Sequence, residues 1–477
     1  MTTLSNNEWS ESLRRILFGT GPDTPTFDRA LGRCPSFSNQ APIEPGSRIL
    51  IRGDIDVPLD SSGESVMDDE RLRTLREAIE VCTKLELVPV IMGHVGRSPD
   101  NTSAPIAPKL QELYARKCTF VEDWLDPSTR SVPPAAREHL NAAKPGELIL
   151  LEQTRRYEIE RALWDVPEVQ LASETADLFG CARAVAEHIA TSYVFEAIGS
   201  HNPDWSSVVL PGAMRQVYLG PYTHRELAGP LTAIRDADVV ILSGLKADKL
   251  DAIEATVTRG SARLLICGGS LAMAFVKSRG GSIGQAEDRQ FSKEKWFIPP
   301  ERIEQARRIL TRADECGLEI VVPVDFVLDD GNTAKSVPAG RTQRDVGPAT
   351  RELFAKKILE FADARTARTK IFYNGAVGQF EEPSFAAGTE ALVSFLCATA
   401  KARTDIELYI GGGDARFALR RFGDADAATH AFTCGGTVLK SIGDGKLNFV
   451  DSISTYAQQN AQATAPHAPS TPEHSTT

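Results

Sequence analysis

Three glycines and an aspartate, Gly411-Gly412-Gly413-Asp414, close the apolar run Leu408-Tyr409-Ile410, and a helical pattern starting Ala415-Arg416-Phe417 begins at once. Glycine has no Cβ, so its backbone N–H groups can approach a polyphosphate closely, and a helix start adds the positive end of a dipole. Asp414 is a hard oxygen ligand just past the turn, which suits a Mg2+ ion riding on those phosphates. Strand–glycine–helix turns are common in α/β proteins, so this stretch alone leaves phosphate binding and plain architecture both open.

A second set of residues points to anion binding. Gly93-His94-Val95-Gly96-Arg97 follows the apolar run Val88-Pro89-Val90-Ile91-Met92. Gly53-Asp54-Ile55-Asp56-Val57-Pro58 follows Ile49-Leu50-Ile51-Arg52, and Arg155 and Arg156 follow a third run ending at Leu151. Arg71 and Arg73 open the stretch between the first two. Arginine's planar fork of donors grips phosphate or carboxylate bidentately. A solvated rim of charge is the competing reading for any one of these residues. For His94 and Arg97 together, bracketed by glycines after a fully apolar run, the anion site is the better one.

Elements must bring these loops together. The periodicity predicts strands over 48–52, 88–92 and 147–151, and a helix over 69–85 with Leu72, Leu75, Ile79 and Cys82 on one face. Strands that each close on a polar loop fit a parallel sheet, where ligands bind beyond the strand C-termini. The second half repeats the pattern, with strands over 238–242, 263–267, 319–325 and 369–373. Their turns are Ser243-Gly244, Gly268-Gly269-Ser270 and Asn374-Gly375, and Cys434-Gly435-Gly436 heads a last helix. Several glycine turns on one sheet edge favour a nucleotide cradle more than any one of them alone.

Composition bounds the rest. A chain of 477 residues exceeds one ordinary core, and 42% hydrophobic with 25% charged residues is globular. A net charge of −11 argues against general nucleic-acid or anionic-membrane binding. Eight scattered cysteines without a C-x-x-C pair read as reduced thiols of a cytoplasmic protein. No signal pattern or transmembrane run is expected. Residues 457–477, rich in Ala, Gln, Pro, Ser and Thr, read as a disordered tail. A redox dinucleotide enzyme is disfavoured, because no G-x-G-x-x-G follows the first strand.

The ordered set Gly53-Asp54-Ile55-Asp56-Val57-Pro58-Leu59, Gly93-His94-Val95-Gly96-Arg97, Leu150-Leu151-Glu152-Gln153-Thr154-Arg155, Lys246-Ala247-Asp248-Lys249, Asn374-Gly375 and Gly411-Gly412-Gly413-Asp414 resembles phosphoglycerate kinase over about residues 46–455. The resemblance implies an α/β fold of two doubly wound parallel-sheet (Rossmann-like) lobes joined by a hinge helix. It implies a kinase that passes a phosphoryl group between Mg2+-bound ATP or ADP and the carboxylate of a phosphorylated acid as a cleft closes. The corresponding layout is an N-terminal extension (1–45), an acid-substrate lobe (46–215), a hinge helix (216–235), a nucleotide lobe (236–440), a C-terminal return segment (441–456) and the tail.

By that resemblance Asp54 and Asp56 face the substrate's hydroxyl end, and Arg71 reaches its carboxylate and the transferred group. His94, Arg97 and Arg155 form the patch for its phosphate. Lys246 and Lys249 flank the nucleotide and the group in flight. Gly268, Asn374, Glu381, Gly411, Gly412, Gly413 and Ala415 line the nucleotide site, with Glu381 at the ribose, and Asp414 takes the metal. A small anionic acid and a nucleotide are the expected partners of a monomer.

Departures from the family pattern stand beside these matches. Asp56 replaces an asparagine, the lysine loop is one residue short, Ala415 replaces Ser or Thr, and Cys434 replaces a glycine. The family's basic helix motif aligns with Glu187-His188-Ile189-Ala190-Thr191-Ser192, so its arginine becomes Ile189, and Arg183 elsewhere on that helix is the less favoured source of a replacement cation. Two functions stay open: an acyl-phosphate kinase acting on phosphoglycerate or a related acid outside ordinary glycolytic use, and a weak relative kept as a nucleotide-binding regulator.

Overall fold

The computed structural model describes residues 6–19, 24–244 and 249–464. The chain divides into two compact units, residues 1–227 with 448–477, and residues 228–447.

The first unit is built on six strands, β1 (Arg48–Gly53), β2 (Val88–Met92), β3 (Cys118–Val121), β4 (Leu148–Leu151), β5 (Ser192–Glu196) and β6 (Gln216–Leu219), in the order β3-β4-β2-β1-β5-β6. Every pairing is parallel. Ile49, Leu50, Ile51, Val90 and Ile91 are fully buried, since a parallel sheet is covered on both faces and its strands read as continuous apolar runs. The chain winds to one side of β1 through β2, β3 and β4, then crosses to β5 on the other side. Loops diverge at that reversal, which opens a crevice beyond the ends of β1 and β5.

The second unit repeats the plan with β7 (Val239–Leu242), β8 (Leu264–Cys267), β9 (Glu319–Val321), β10 (Phe326–Leu328), β11 (Thr333–Ala334), β12 (Gln343–Val346), β13 (Thr369–Asn374), β14 (Ile406–Gly411) and β15 (His430–Phe432). Its main sheet runs β15-β14-β13-β7-β8-β9, all parallel, while β11-β10-β12 form a small antiparallel sheet. The reversal here lies between β7 and β13.

Several expected elements change on folding. The helix expected over 69–85 is two helices, Glu70–Arg73 and Arg76–Lys84. Thr74 binds the Arg71 carbonyl through both its N–H (3.1 Å) and its hydroxyl (2.7 Å), a tightened turn that interrupts the helical ladder. The strand expected to reach 325 stops at Val321, because Pro323 has no N–H to give, and the amides of Val324 and Asp325 bind Thr350 Oγ1 instead. The helix expected over 216–235 starts later: 216–219 is strand β6, and the helical path runs from Pro221–Glu226 through a π turn at Leu227–Leu231 to Thr232–Ile234.

The tail reading also fails at its start. Helix Asn448–Thr464 carries residues 457–464, while 465–477 lie outside the described residues. Alanine and glutamine favour a helix once one face has something to dock on. Here that face meets the N-terminal extension, which holds helices Asn6–Phe18 and Phe27–Leu31: Gln459 Nε2 donates to Ser12 Oγ (2.9 Å) and Cys34 Sγ to the Val450 carbonyl (3.5 Å).

Candidate active site

In the first unit the loops beyond β1, β2 and β4 converge on one edge. Asp54 leaves the end of β1 buried, its amide bound to the Glu196 carbonyl (3.2 Å). Arg71, from the short helix Glu70–Arg73, spans both acids, with Nη1 3.3 Å from Asp54 Oδ1 and 3.2 Å from Asp56 Oδ2. Asp56 Oδ1 also accepts from the Gly96 amide (2.7 Å), and the Gly96 carbonyl accepts from Arg155 Nη1 (2.6 Å). Arg155 lies over the Trp164 ring at 5.1 Å. His94 is buried beside them, its Nε2 3.8 Å from Asp56 Oδ2. Arg97 is exposed and makes no hydrogen bond or ion pair with a described residue. Asp54, Asp56, Arg71, His94 and Arg155 therefore form one contiguous polar cluster.

Beneath the cluster lie Arg52, which the sequence places among the loop charges without a role, and Glu160, Asp204 and Ser206, which it does not single out. Arg52 is fully buried and reaches Ser206 Oγ (3.0 Å), Ser200 Oγ (2.8 Å), His94 Nδ1 (3.0 Å) and the Asp204 carboxylate (3.5 Å). Glu160 accepts from the Ser206 amide (3.0 Å) and hydroxyl (2.7 Å), and Trp164 Nε1 donates to Asp204 Oδ1 (2.8 Å). Of these two buried carboxylates, Asp204 meets the guanidinium directly and Glu160 is linked to it through Ser206 Oγ. Burial first, and Asp204 second, push Glu160 up to about 7, and burial also raises Asp204. The one signal available was an arginine inside an otherwise apolar strand, which has to find buried partners.

The assignment of Ile189 to the phosphate patch is overturned. Ile189 caps the C-terminus of helix Leu171–His188 and is fully buried, with its carbonyl bound to Arg48 Nε (2.6 Å). A helix that precedes a parallel strand delivers the chain to that strand's N-terminal edge, so Ile189 and His188 sit at the opposite end of β5 from the ligand edge. Arg183 is no substitute, since it lies over the Trp9 ring at 5.4 Å. The segment on the ligand edge after β5 is 197–204, which holds no Lys or Arg and has His201 and Asp204 as its titratable residues. It packs close: a Cβ built on Gly199 would lie 2.5 Å from Asp54 Oδ2.

In the second unit Lys249 opens helix Lys249–Arg259, and its ammonium sits between the ends of β7 and β13. Its Nζ donates to the Ser243 carbonyl (2.5 Å) and to Asn374 Oδ1 (2.6 Å), while Asn374 Nδ2 donates to the Gly411 carbonyl (2.6 Å). Gly375 has φ +93°, and a Cβ there would meet the Ser243 carbonyl oxygen at 2.1 Å, so only glycine lets the two loops touch. Gly412, also at φ +93°, is the N-cap of helix Gly413–Phe422.

A cavity of about 330 Å³ adjoins these turns, lined among others by Gly244, Gly269, Trp296, Val377, Glu381 and Asp414. Glu381, Gly413 and Asp414 are exposed, whereas Ala415 is packed into the core and Gly268 lies behind the lining, against Val377 and Ser243. Lys246 lies outside the described residues. Trp296 had no sequence signal, since it follows the polar run Ser292-Lys293-Glu294-Lys295 far from any glycine turn. A carboxylate such as Asp414 at the glycine turn fits Mg2+, which keeps several waters and takes further ligands from phosphates. Among the described residues no cluster of three acidic, His or Cys side chains offers an all-protein metal cage.

A family model described as Phosphoglycerate kinase matches residues 43–446. The chain belongs to the phosphoglycerate kinase family. Similar relatives include the phosphoglycerate kinase of Salinispora arenicola, 32% identical over 414 residues (83% of this chain and 92% of that one). That of Chloroflexus aggregans is 29% identical over 419 residues (83% and 93%). Among solved structures, the phosphoglycerate kinase from Coxiella burnetii aligns with a TM-score of 0.63 at 24% identity, covering 90% of this chain and all of that one. The one from Pyrococcus horikoshii aligns with a TM-score of 0.67 at 21% identity, covering 87% and 98%. These two likenesses establish the two-sheet α/β fold. Membership of the phosphoglycerate kinase family supports a kinase that moves a phosphoryl group. No described helix is long and apolar enough to cross a membrane.

Proposed function

We propose that this protein transfers a phosphoryl group between Mg2+-bound ATP or ADP, held by the second unit, and the carboxylate of a small anionic acid, held by the first. The observation that carries the reading is the Lys249 ammonium fixed at the β7/β13 reversal by Ser243 and Asn374, next to the cavity bearing Asp414. Phosphoryl transfer asks a protein for in-line placement and neutralisation of oxygen charge, with little covalent work. Lys249 meets that need as a preorganised cation. Asp414 is the residue that would hold Mg2+, which when bound supplies charge neutralisation on the phosphates. In this reading Arg71 meets the acid's carboxylate and the group in flight, and Arg155, Arg97 and His94 bind its far end.

The acid differs from 3-phosphoglycerate in the same reading. Asp56 puts a negative charge at the hydroxyl end, and the ligand-edge loop 197–204 contributes no fixed cation. An ionised carboxylate accepts but does not donate, so an amino or additional hydroxyl group suits Asp56. Turnover of MgATP across a panel of phosphorylated and unphosphorylated hydroxy and amino acids tests both halves. We expect acid-dependent ADP release, greater with an acid other than 3-phosphoglycerate. Ordinary enzyme efficiency on 3-phosphoglycerate would overturn the substrate half, and no acid-dependent turnover at all would overturn the kinase half.

A further inference from the structure

Arg52 and His94 meet in a way that fixes the chemistry of the imidazole. Arg52 Nη2 lies 3.0 Å from His94 Nδ1, and both side chains are buried. A guanidinium has five donors and no acceptor and stays charged in proteins. The ring nitrogen facing it therefore has to offer a lone pair, so the imidazole proton resides on Nε2. Protonating Nδ1 would set N–H against N–H and bury two cations in contact. Arg52 cannot swing away, because Nε and Nη1 are committed to Ser206 Oγ (3.0 Å) and the Gly53 carbonyl (2.8 Å), and Nη2 also serves Ser200 Oγ (2.8 Å).

The other groups around the ring act in the same direction. Burial, then Arg52 of β1, Arg155 beyond β4, Arg71 of the helix Glu70–Arg73 and His201 of the loop after β5, all push His94 well below the ordinary imidazole value. The opposing carboxylates are Asp54 and Asp56, both on Arg71, and Asp204 on Arg52; Asp56, at 3.8 Å from Nε2, is too far for a hydrogen bond. The Nε2–H consequently has no acceptor among the described residues, although the side chain is only 8% exposed. Nε2 is the ring atom that opens toward the site, so its proton is met there by water and, once the site is filled, by a ligand oxygen.

We infer that Arg52 is a positioning residue that holds His94 as a neutral imidazole protonated on Nε2, so that His94 meets the bound acid as a hydrogen-bond donor and not as a cation. This rests on the reading that the first unit recognises the acid, but the state of the ring does not. It changes the charge the pocket presents: Arg71, Arg97 and Arg155 remain the cations, against Asp54 and Asp56. A site of that balance favours an acid less highly charged than one bearing both a carboxylate and a phosphate dianion.

Two-bond 1H–15N correlation on the full-length protein with 15N-labelled histidine reads the tautomer directly. We expect His94 to show an unprotonated Nδ1 and a protonated Nε2 from pH 5.5 to 8. Ring titration near the ordinary value of about 6.5, or a proton on Nδ1, overturns the inference whatever the enzyme turns over. The ligand role is read separately with the acid identified by turnover. His94→Gln, whose amide nitrogen can stand where Nε2 stands, should keep KM for the acid within about tenfold, whereas His94→Ala should raise it by about tenfold or more with kcat less affected. Equal KM values in wild type and both variants overturn the donor role. Arg52→Gln, whose amide can accept from Nδ1–H as well as donate to Nδ1, should, if folded by circular dichroism, make a proton on Nδ1 detectable, and a folded variant with the wild-type tautomer overturns the positioning role of Arg52; if it does not fold the wild-type spectrum still decides the tautomer.

Discussion

Asn374 and Lys249 are joined by a hydrogen bond of 2.6 Å from the ammonium to the amide oxygen, and this contact fixes which way the amide points. Lysine only donates, and the Gly411 carbonyl on the other side of Asn374 (2.6 Å) only accepts, so each end of the amide has one possible partner. One side chain at the end of β13 thereby ties the turn after β7 to the glycine turn after β14. The Lys249 ammonium and the glycine turn at Gly411 are held in register by the same residue.

Lys249→Ala should abolish most turnover. A preorganised cation at developing charge commonly supplies on the order of 3 kcal/mol, or about a hundredfold or more in rate. Because Asn374 would still pin Gly411, nucleotide affinity should change little. Turnover near the wild-type level, measured with saturating nucleotide and acid, would show that another residue carries the charge.

Asp414→Ala should separate metal binding from folding. Asp414 is exposed and makes no hydrogen bond or ion pair with a described residue, so the melting temperature should barely move. The gain in nucleotide affinity on adding Mg2+ should be largely lost. Calorimetric titration with ADP, with and without Mg2+, checks this, and an undiminished Mg2+ effect would place the metal elsewhere.

Ile189→Arg should damage the fold and leave acid recognition unimproved. The side chain is fully buried at the N-terminal edge of β5, where an unpaired guanidinium costs on the order of 3 kcal/mol or more. Urea denaturation reads the loss. A stable variant with tighter acid binding would return this position to the ligand edge.

Stability should fall as pH rises from about 5 to 7. Burial raises Glu160 and Glu196 to about 7 and Asp345 to about 6, against unfolded values of about 4. Over that window the native state binds more protons than the unfolded chain, so deprotonation favours unfolding. His94 acts oppositely, because it is lowered in the native state and an unfolded histidine charges below about 6.5. Three carboxyls against one imidazole leave a net decline. The urea midpoint, followed from pH 5.5 to 7.5, should decrease, and a steady rise would contradict the assignment.

The sequence by itself determined the family, the parallel-sheet architecture and most of the polar cluster. Apolar runs such as Ile49-Leu50-Ile51 and Val239-Val240-Ile241-Leu242 are strands because only a sheet covered on both faces buries every residue of such a run. The loops that end them then have to share one edge, and so Asp54, Asp56, His94 and Arg155 were legible as neighbours. Glycine turns announce themselves because no other residue allows φ near +93° at Gly375 and Gly412 without strain.

Only the tertiary structure decided what was buried under that edge and which end of β5 faced the ligand. Local pattern is blind to the partners of a buried charge: Arg52 reads as one more arginine until Asp204, Ser206 and His94, from 42 to 154 residues away, close around it. It is equally blind to strand polarity where a strand goes unrecognised. With Ser192–Glu196 unrecognised as a strand, the family's basic helix motif aligns with the residues before it and Ile189 reads as a lost cation, whereas the loop beyond the strand's C-terminal end is the one after Glu196. Hydrogen-bond direction, the property that makes His94 a donor, exists only once the donors and acceptors have been folded against one another.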